Sequence, residues 1–171
     1  MNVKTIKLLA EYNKITNRKM NDFIKTLTNE QWTKKFGGFF NSIQLLCNHL
    51  YIGDFNWLKR FSKLREYTYI ENNIFERNIN FDEIVFNNID EYVKMREILD
   101  NDITKFANEV TEDDLVKILE YTDSHGNKHR KNFGFLILHT FNHQTHHRGM
   151  ISIYLEELGI ENDYSNLSGI L

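Results

Sequence analysis

The chain has 171 residues, 41% hydrophobic, 26% charged and 13% aromatic, with no proline and a formal charge of −3. This is the composition of one ordinary globular domain, expected to span residues 1–171, and 21 Lys+Arg against 24 Asp+Glu leave no basic excess for a nucleic-acid partner. A lone cysteine, Cys47, excludes an intramolecular disulfide and a knuckle of two or more thiolates.

No stretch approaches the roughly 18 apolar residues of a membrane span. The first residues hold no apolar run longer than Leu8-Leu9-Ala10, unlike a secretory signal. The expectation is a soluble, cytoplasmic protein with no membrane partner.

Four segments carry a helical period. The first runs from about Val3 to Leu27, on a seam of Val3, Ile6, Ala10, Asn13, Asn17, Met20, Ile24 and Leu27 that is apolar at both ends and polar in the middle. A connection through Thr28–Gln31 follows, with a bend at Gly37-Gly38. The second helix runs from about Ser42 to Leu64, with Asn41 or Ser42 as N-cap. Its seam reads Ile43, Leu46/Cys47, Leu50, Asp54, Trp57, Phe61 and Leu64, with His49 beside it.

The third helix is expected to open on the capping box Asn80-Phe81-Asp82-Glu83 and to continue to Val110 along Ile89, Tyr92, Met95, Leu99, Ile103 and Phe106. From Leu115 the period changes. Leu115–Thr122 and Lys128–Asn132 read as two strands around the turn Asp123-Ser124-His125-Gly126-Asn127. The fourth helix runs from Phe133 to about Leu158 and stops at Gly159. Its seam is Leu136, Thr140, His143, His147, Met150 and Tyr154. The predicted fold is an all-α four-helix bundle with a small β-hairpin between helices three and four. The long connection Arg65–Ile79 allows helix three to run parallel to helix two.

Four of the seven histidines fall between His139 and His147. Imidazoles four residues apart share a helix face and can hold one metal ion, so His139/His143 and His143/His147 are the candidate pairs. The seam places His143 and His147 inward and His139 at the flank. Buried polar groups without partners cost about 1–3 kcal/mol each, and a metal ion would satisfy both rings together. His49 lies near the inward stripe of the second helix, and Asn13, Asn17 and Asp54 interrupt apolar seams midway. Polar residues of several helices thus converge at mid-bundle, as a site requires.

For the remaining candidates, Asp54 could orient a ligating histidine or pair with Arg148 or Arg60. Asn13 and Asn17 are read as pocket-lining. Arg148 is either a clamp for a substrate carboxylate or part of an ion pair. Cys47 is read as a buried structural thiol, Trp57 as a core residue, and His125 and His129 as solvated.

Asn142-His143-Gln144-Thr145-His146-His147-Arg148-Gly149 resembles the signature of the DinB family. So does His49–Arg60, in which His49, Asp54 and Trp57 match an H-x4-D-x2-W pattern, and Tyr12-Asn13 followed by Asn17 resembles that family's first helix. Met150 stands where relatives commonly carry glutamine. The resemblance implies an up-down-down-up bundle and a divalent metal, nickel or zinc, on His49, His143 and His147. It also implies a homodimer, to which Phe39, Phe40 and Tyr69, lying outside the helical seams, would contribute.

Some relatives transfer low-molecular-weight thiols to small molecules. The implied activity is therefore a metal-dependent thiol S-transferase with a small electrophile as substrate, Asn13, Asn17, Asp54, Trp57 and Arg148 lining its pocket. A metal-dependent hydrolase and a non-enzymatic, metal-stabilised bundle are the alternatives. Three imidazoles leave at least one coordination position open, as catalytic sites do, and by themselves do not choose among zinc, nickel, copper and iron.

Overall fold

The computed structural model of the chain describes residues 1–169. It is mostly helical, with six α-helices and one two-stranded antiparallel hairpin among the described residues. No described helix is long and apolar enough to cross a membrane.

Helix α1 spans Val3–Ile24 and starts where Asn2 Oδ1 accepts from Thr5 N–H (2.9 Å). It ends earlier than the expected Leu27, because Thr26 and Leu27 N–H turn to the carbonyls of Phe23 and Ile24, tightening the last turn. Helix α2, Asn29–Thr33, lies in what reads as a connection. A Thr28–Gln31 capping box starts it, and it inserts Trp32, fully buried, against Tyr92. Helix α3 spans Ile43–Phe61, capped by Ser42 Oγ. It stops short of Leu64 because Lys63 and Leu64 N–H bond to the carbonyls of Arg60 and Phe61.

Helix α4 is Ile89–Glu109, with Asn88 as its cap, and so begins nine residues after Asn80. Asn80 and Glu83 do bond to each other, Asn80 N–H to Glu83 Oε2 (3.3 Å) and Glu83 N–H to Asn80 O (3.2 Å), but they close a single turn. Past it, α3 takes the backbone groups that a helix would need. Asn48 Oδ1 accepts from the N–H of Val85 (2.7 Å) and Phe86 (2.8 Å), while Asn48 Nδ2 and Gln44 Nε2 donate to Phe86 O. A tertiary clamp on the backbone outweighs the local capping signal.

Helix α5 is Glu112–Leu115, so Leu115 is helical rather than the start of a strand. Strands β1 (Ile118–Thr122) and β2 (Lys128–Asn132) pair with Ile118 opposite Asn132. Gly126 takes φ +83° in their turn. Asp123 Oδ1 accepts from the N–H of His125 and Asn127, and Asp123 Oδ2 meets His129 Nε2 at 2.8 Å, so His129 is tied to the turn. Helix α6 spans Phe133–Glu157, capped by Asn132 and closed by Gly159 at φ +78°.

The four long helices pack α1 against α4 and α6, and α3 against α6 and α4. Aromatic rings fill one end of the interior, where Phe61 stacks on Phe106 (5.1 Å) and meets Phe133 edge-on (5.2 Å). The hairpin lies over the exposed side of α3, with Tyr121 edge-on to Trp57 (5.4 Å).

Candidate metal centre

His49 on α3 faces His143 and His147, one turn apart on α6. One ring nitrogen from each lies within 4.8 Å of the others, and His49 Nε2 to His143 Nε2 is 2.9 Å. The Nδ1 atoms of His143 and His147 are buried without a hydrogen-bond partner. Burial, and for each ring a neighbouring imidazole, lowers the pKa of all three to about 4. They are therefore neutral at pH 7, the form that binds metal. One nitrogen from each of three imidazoles, gathered this closely, fits a divalent cation, and the three histidines are positioned to hold one.

The surroundings give the trio one closed and one open side. Gly53 lets α6 approach, since a Cβ there would stand 3.1 Å from His143 Cε1. Phe40 stacks on His49 (4.2 Å, 28°) and meets His147 edge-on, and its carbonyl accepts from Tyr154 Oη (3.1 Å). On the other side a cleft of about 310 Å³ opens from His143, lined by Gly53, Trp57, Arg60, Tyr121 and His139.

Trp57 is half-buried at this cleft, not a core residue, and meets the exposed His139 edge-on at 5.4 Å. The cluster stands at the edge of the bundle, because the buried face of α6 is centred elsewhere. Gln144 and Arg148 are each 1% exposed, whereas His143 and Met150 are half-buried.

The other candidate residues gather behind the cluster. Arg96 bridges Asp54 and Asp100, each at 2.8 Å. Asp100 accepts from Asn17 (2.9 Å) and Asn13 (3.4 Å), and both asparagine oxygens accept from Arg148 Nη1. Gln144 donates to Asp54 and accepts from Arg148 (3.5 Å), which closes a ring of buried polar groups drawn from all four long helices. Burial pushes the Asp54 and Asp100 carboxyls up, Asp100 to about 6, against the pull of Arg96.

Asn13, Asn17, Asp54 and Arg148 thus meet one another, while Trp57 stands apart from them at the cleft. Asn13 and Arg148 also reach a small hollow on the α1–α6 side, away from the histidines. Asp54 pairs with neither Arg148 nor Arg60 and holds no histidine. It follows His49 by five residues, about 140° round the helix at 100° per residue, so the two face different neighbours.

Three members of the ring escaped the sequence reading. Arg96 and Asp100 lie off the apolar seam of the third helix, and their i, i+4 spacing is the one sequence signal that links them. Gln144 belongs to the His143 motif, but nothing in the motif points to its bond with Asp54. Cys47 is fully buried and burial pushes its thiol up, so it stays protonated. Tyr69, expected at the surface, is fully buried and donates to Leu58 O (2.8 Å).

The DinB family model matches residues 1–167. The chain belongs to the DinB family. Among solved structures, a DinB-like protein from Bacillus cereus ATCC 10987 is similar at a TM-score of 0.61 and 16% identity, over 88% of this chain and 91% of that one. At that identity the likeness speaks for the DinB fold. No curated protein matches the chain.

Proposed function

We propose that this DinB-family chain holds a divalent ion, nickel or zinc, on His49, His143 and His147, and activates a low-molecular-weight thiol for transfer to a small electrophile. The observation that carries this reading is a trio of neutral imidazoles of which one, His143, lines a cleft. When bound, the ion would supply Lewis acidity at the position that the three rings leave free.

The chain's own residues do the rest. Gln144, anchored to Asp54 and to Leu50 O, holds α6 in register with α3, so His143 and His147 stay opposite His49. Phe40 excludes water on the His49 side, and substrate enters past Trp57 and His139. His139, on the cleft wall beside His143, is placed to take or give a proton.

The scaffold we propose is an up-down-down-up four-helix bundle. Contacts that support it are Val3 with Glu112, which sets α1 against the direction of α4, and Gln44 with Phe86 and Arg65 with Glu109, which set α3 along it. Phe61 with Phe133 sets α6 against α3. The proposed setting is the cytoplasm, as a homodimer covering apolar surface such as Phe39, 91% exposed. A monomeric mass by light scattering at high micromolar concentration would refute the dimer.

The activity is tested by elemental analysis of the purified protein followed by a screen of thiols and electrophiles. One metal per chain and turnover only with a thiol present are expected. Turnover without a thiol would indicate a hydrolase. A metal-free chain that unfolds, with no turnover when metal is restored, would indicate a structural ion.

A further inference from the structure

Arg60 lines the cleft that opens from His143. The guanidinium carbon of Arg60 lies 4.8 Å from the ring centre of Trp57, 5.3 Å from Tyr121 and 5.7 Å from Phe81. These rings hold a half-buried cation without accepting conventional hydrogen bonds from it. Arg65, Arg77, Arg96 and Arg130 each pair with a carboxylate. Arg60 has no such partner among the described residues, and the donors of its planar fork are left free.

The carboxylate that shares the cleft, Asp123, is already engaged. Its Oδ1 accepts from two backbone N–H groups and its Oδ2 from Asn127 Nδ2 and His129. Asp82 faces the adjoining hollow of about 610 Å³, which also reaches Arg60, and does not pair with it.

Arginine presents a rigid fork that matches a carboxylate bidentately. Gly53, under His143, and Arg60 are seven residues apart on α3, about 10 Å at 1.5 Å per residue. Between them stand the rings of Trp57 and Tyr121, an apolar wall suited to a flat body.

We propose that Arg60 is the anion-binding end of this cleft. The molecule taken up beside the histidines carries a carboxylate at one end, a flat unsaturated or aromatic body in the middle, and a metal-directed group at the other end. This rests on the reading of the histidine trio as a metal site for its far end, but not for Arg60 itself.

The test uses the full chain and calorimetry. Zinc alone is titrated first. The zinc-loaded protein is then titrated with 4-(mercaptomethyl)benzoate and with the corresponding carboxamide, and the metal-free protein with 4-methylbenzoate and its carboxamide. In both forms the carboxylate should bind about tenfold tighter than the amide. That preference should vanish in Arg60→Gln and survive in part in Arg60→Lys, with zinc stoichiometry unchanged in both.

Equal binding of acid and amide by the wild-type protein overturns the proposal, as does an unchanged preference in Arg60→Gln. Failure of zinc to bind would instead sink the metal reading, and the metal-free titration would still decide the role of Arg60. If Arg60→Gln melts early, the wild-type ratio and the reduced preference of Arg60→Lys decide alone.

Discussion

Two polar regions meet on α6 at His143 and Gln144, one residue apart, and they handle the cost of buried polarity in opposite ways. Behind the cleft, Arg96 pairs with both Asp54 and Asp100, and Arg148 donates to the oxygens of three amide side chains, so two guanidiniums and two carboxylates share one buried region. At the cleft, three neutral imidazoles turn nitrogens toward one another with no acid or amide between them. The first arrangement supplies its own opposite charges, although Asp54 Oδ1, Arg96 Nε and Arg148 Nε are left without a hydrogen-bond partner. The second is positioned to hold a metal ion. What separates the two is therefore charge: the first region balances guanidinium against carboxylate, whereas the second gathers neutral lone-pair donors alone.

The largest effect should come from breaking the closed region. Arg96→Ala leaves Asp54 and Asp100 buried without their cation, and unpaired buried charges of this kind cost about 3–5 kcal/mol. Urea denaturation should show that loss, while whatever protein remains folded still binds metal at full stoichiometry. Wild-type stability in Arg96→Ala would mean that the ring does not hold the helices together.

The open region should respond to metal rather than to truncation. His147→Ala should lose most of its bound metal by elemental analysis. A chelator should lower the melting temperature of the wild type but not of the variant, because an ion held at a hundred times its dissociation constant adds about 2.7 kcal/mol. Unchanged metal content in His147→Ala would remove the three-histidine site.

Acid should separate the two regions as well. Folding lowers the three imidazoles from 6.5 to about 4, so the unfolded chain binds more protons between those values. Stability of the metal-free protein attributable to these rings is fully present above about pH 6.5 and is lost as pH falls toward 4. In His147→Ala that slope should be shallower, which melting curves across the range would reveal. An unaltered slope would place the titration elsewhere.

The smallest change concerns Gly53. Alanine there gains at most about 1 kcal/mol of helix propensity, but its Cβ would meet His143 Cε1 at 3.1 Å. Gly53→Ala should keep the stability of the metal-free chain within about 1 kcal/mol of wild type and weaken metal binding. Calorimetry showing undiminished metal affinity would mean that His143 can shift without consequence.

Periodicity was enough to place the four long helices, because burial of one face every 3.6 residues is written in the order of apolar side chains. It also brought His143 and His147 onto one face, since i, i+4 registry needs nothing beyond the helix itself. The ends of the helices were less legible. At Asn80 the capping pattern is real, yet the backbone beyond it is claimed by Asn48 and Gln44 from α3, residues some forty positions away.

The same limit governs the polar interior. Asn13, Asn17 and Asp54 stood out as interruptions of apolar seams, but an interruption does not name its partner. Arg96 was hidden because a charge at a seam's margin reads as solvated until another helix covers it. Which polar residues meet one another, which three histidines gather, and that Arg60 lines the cleft beside His143 with no carboxylate partner among the described residues were decided by tertiary packing. Hydrogen bonds and ion pairs between helices depend on distance in space, and the order of residues along one helix carries no record of it.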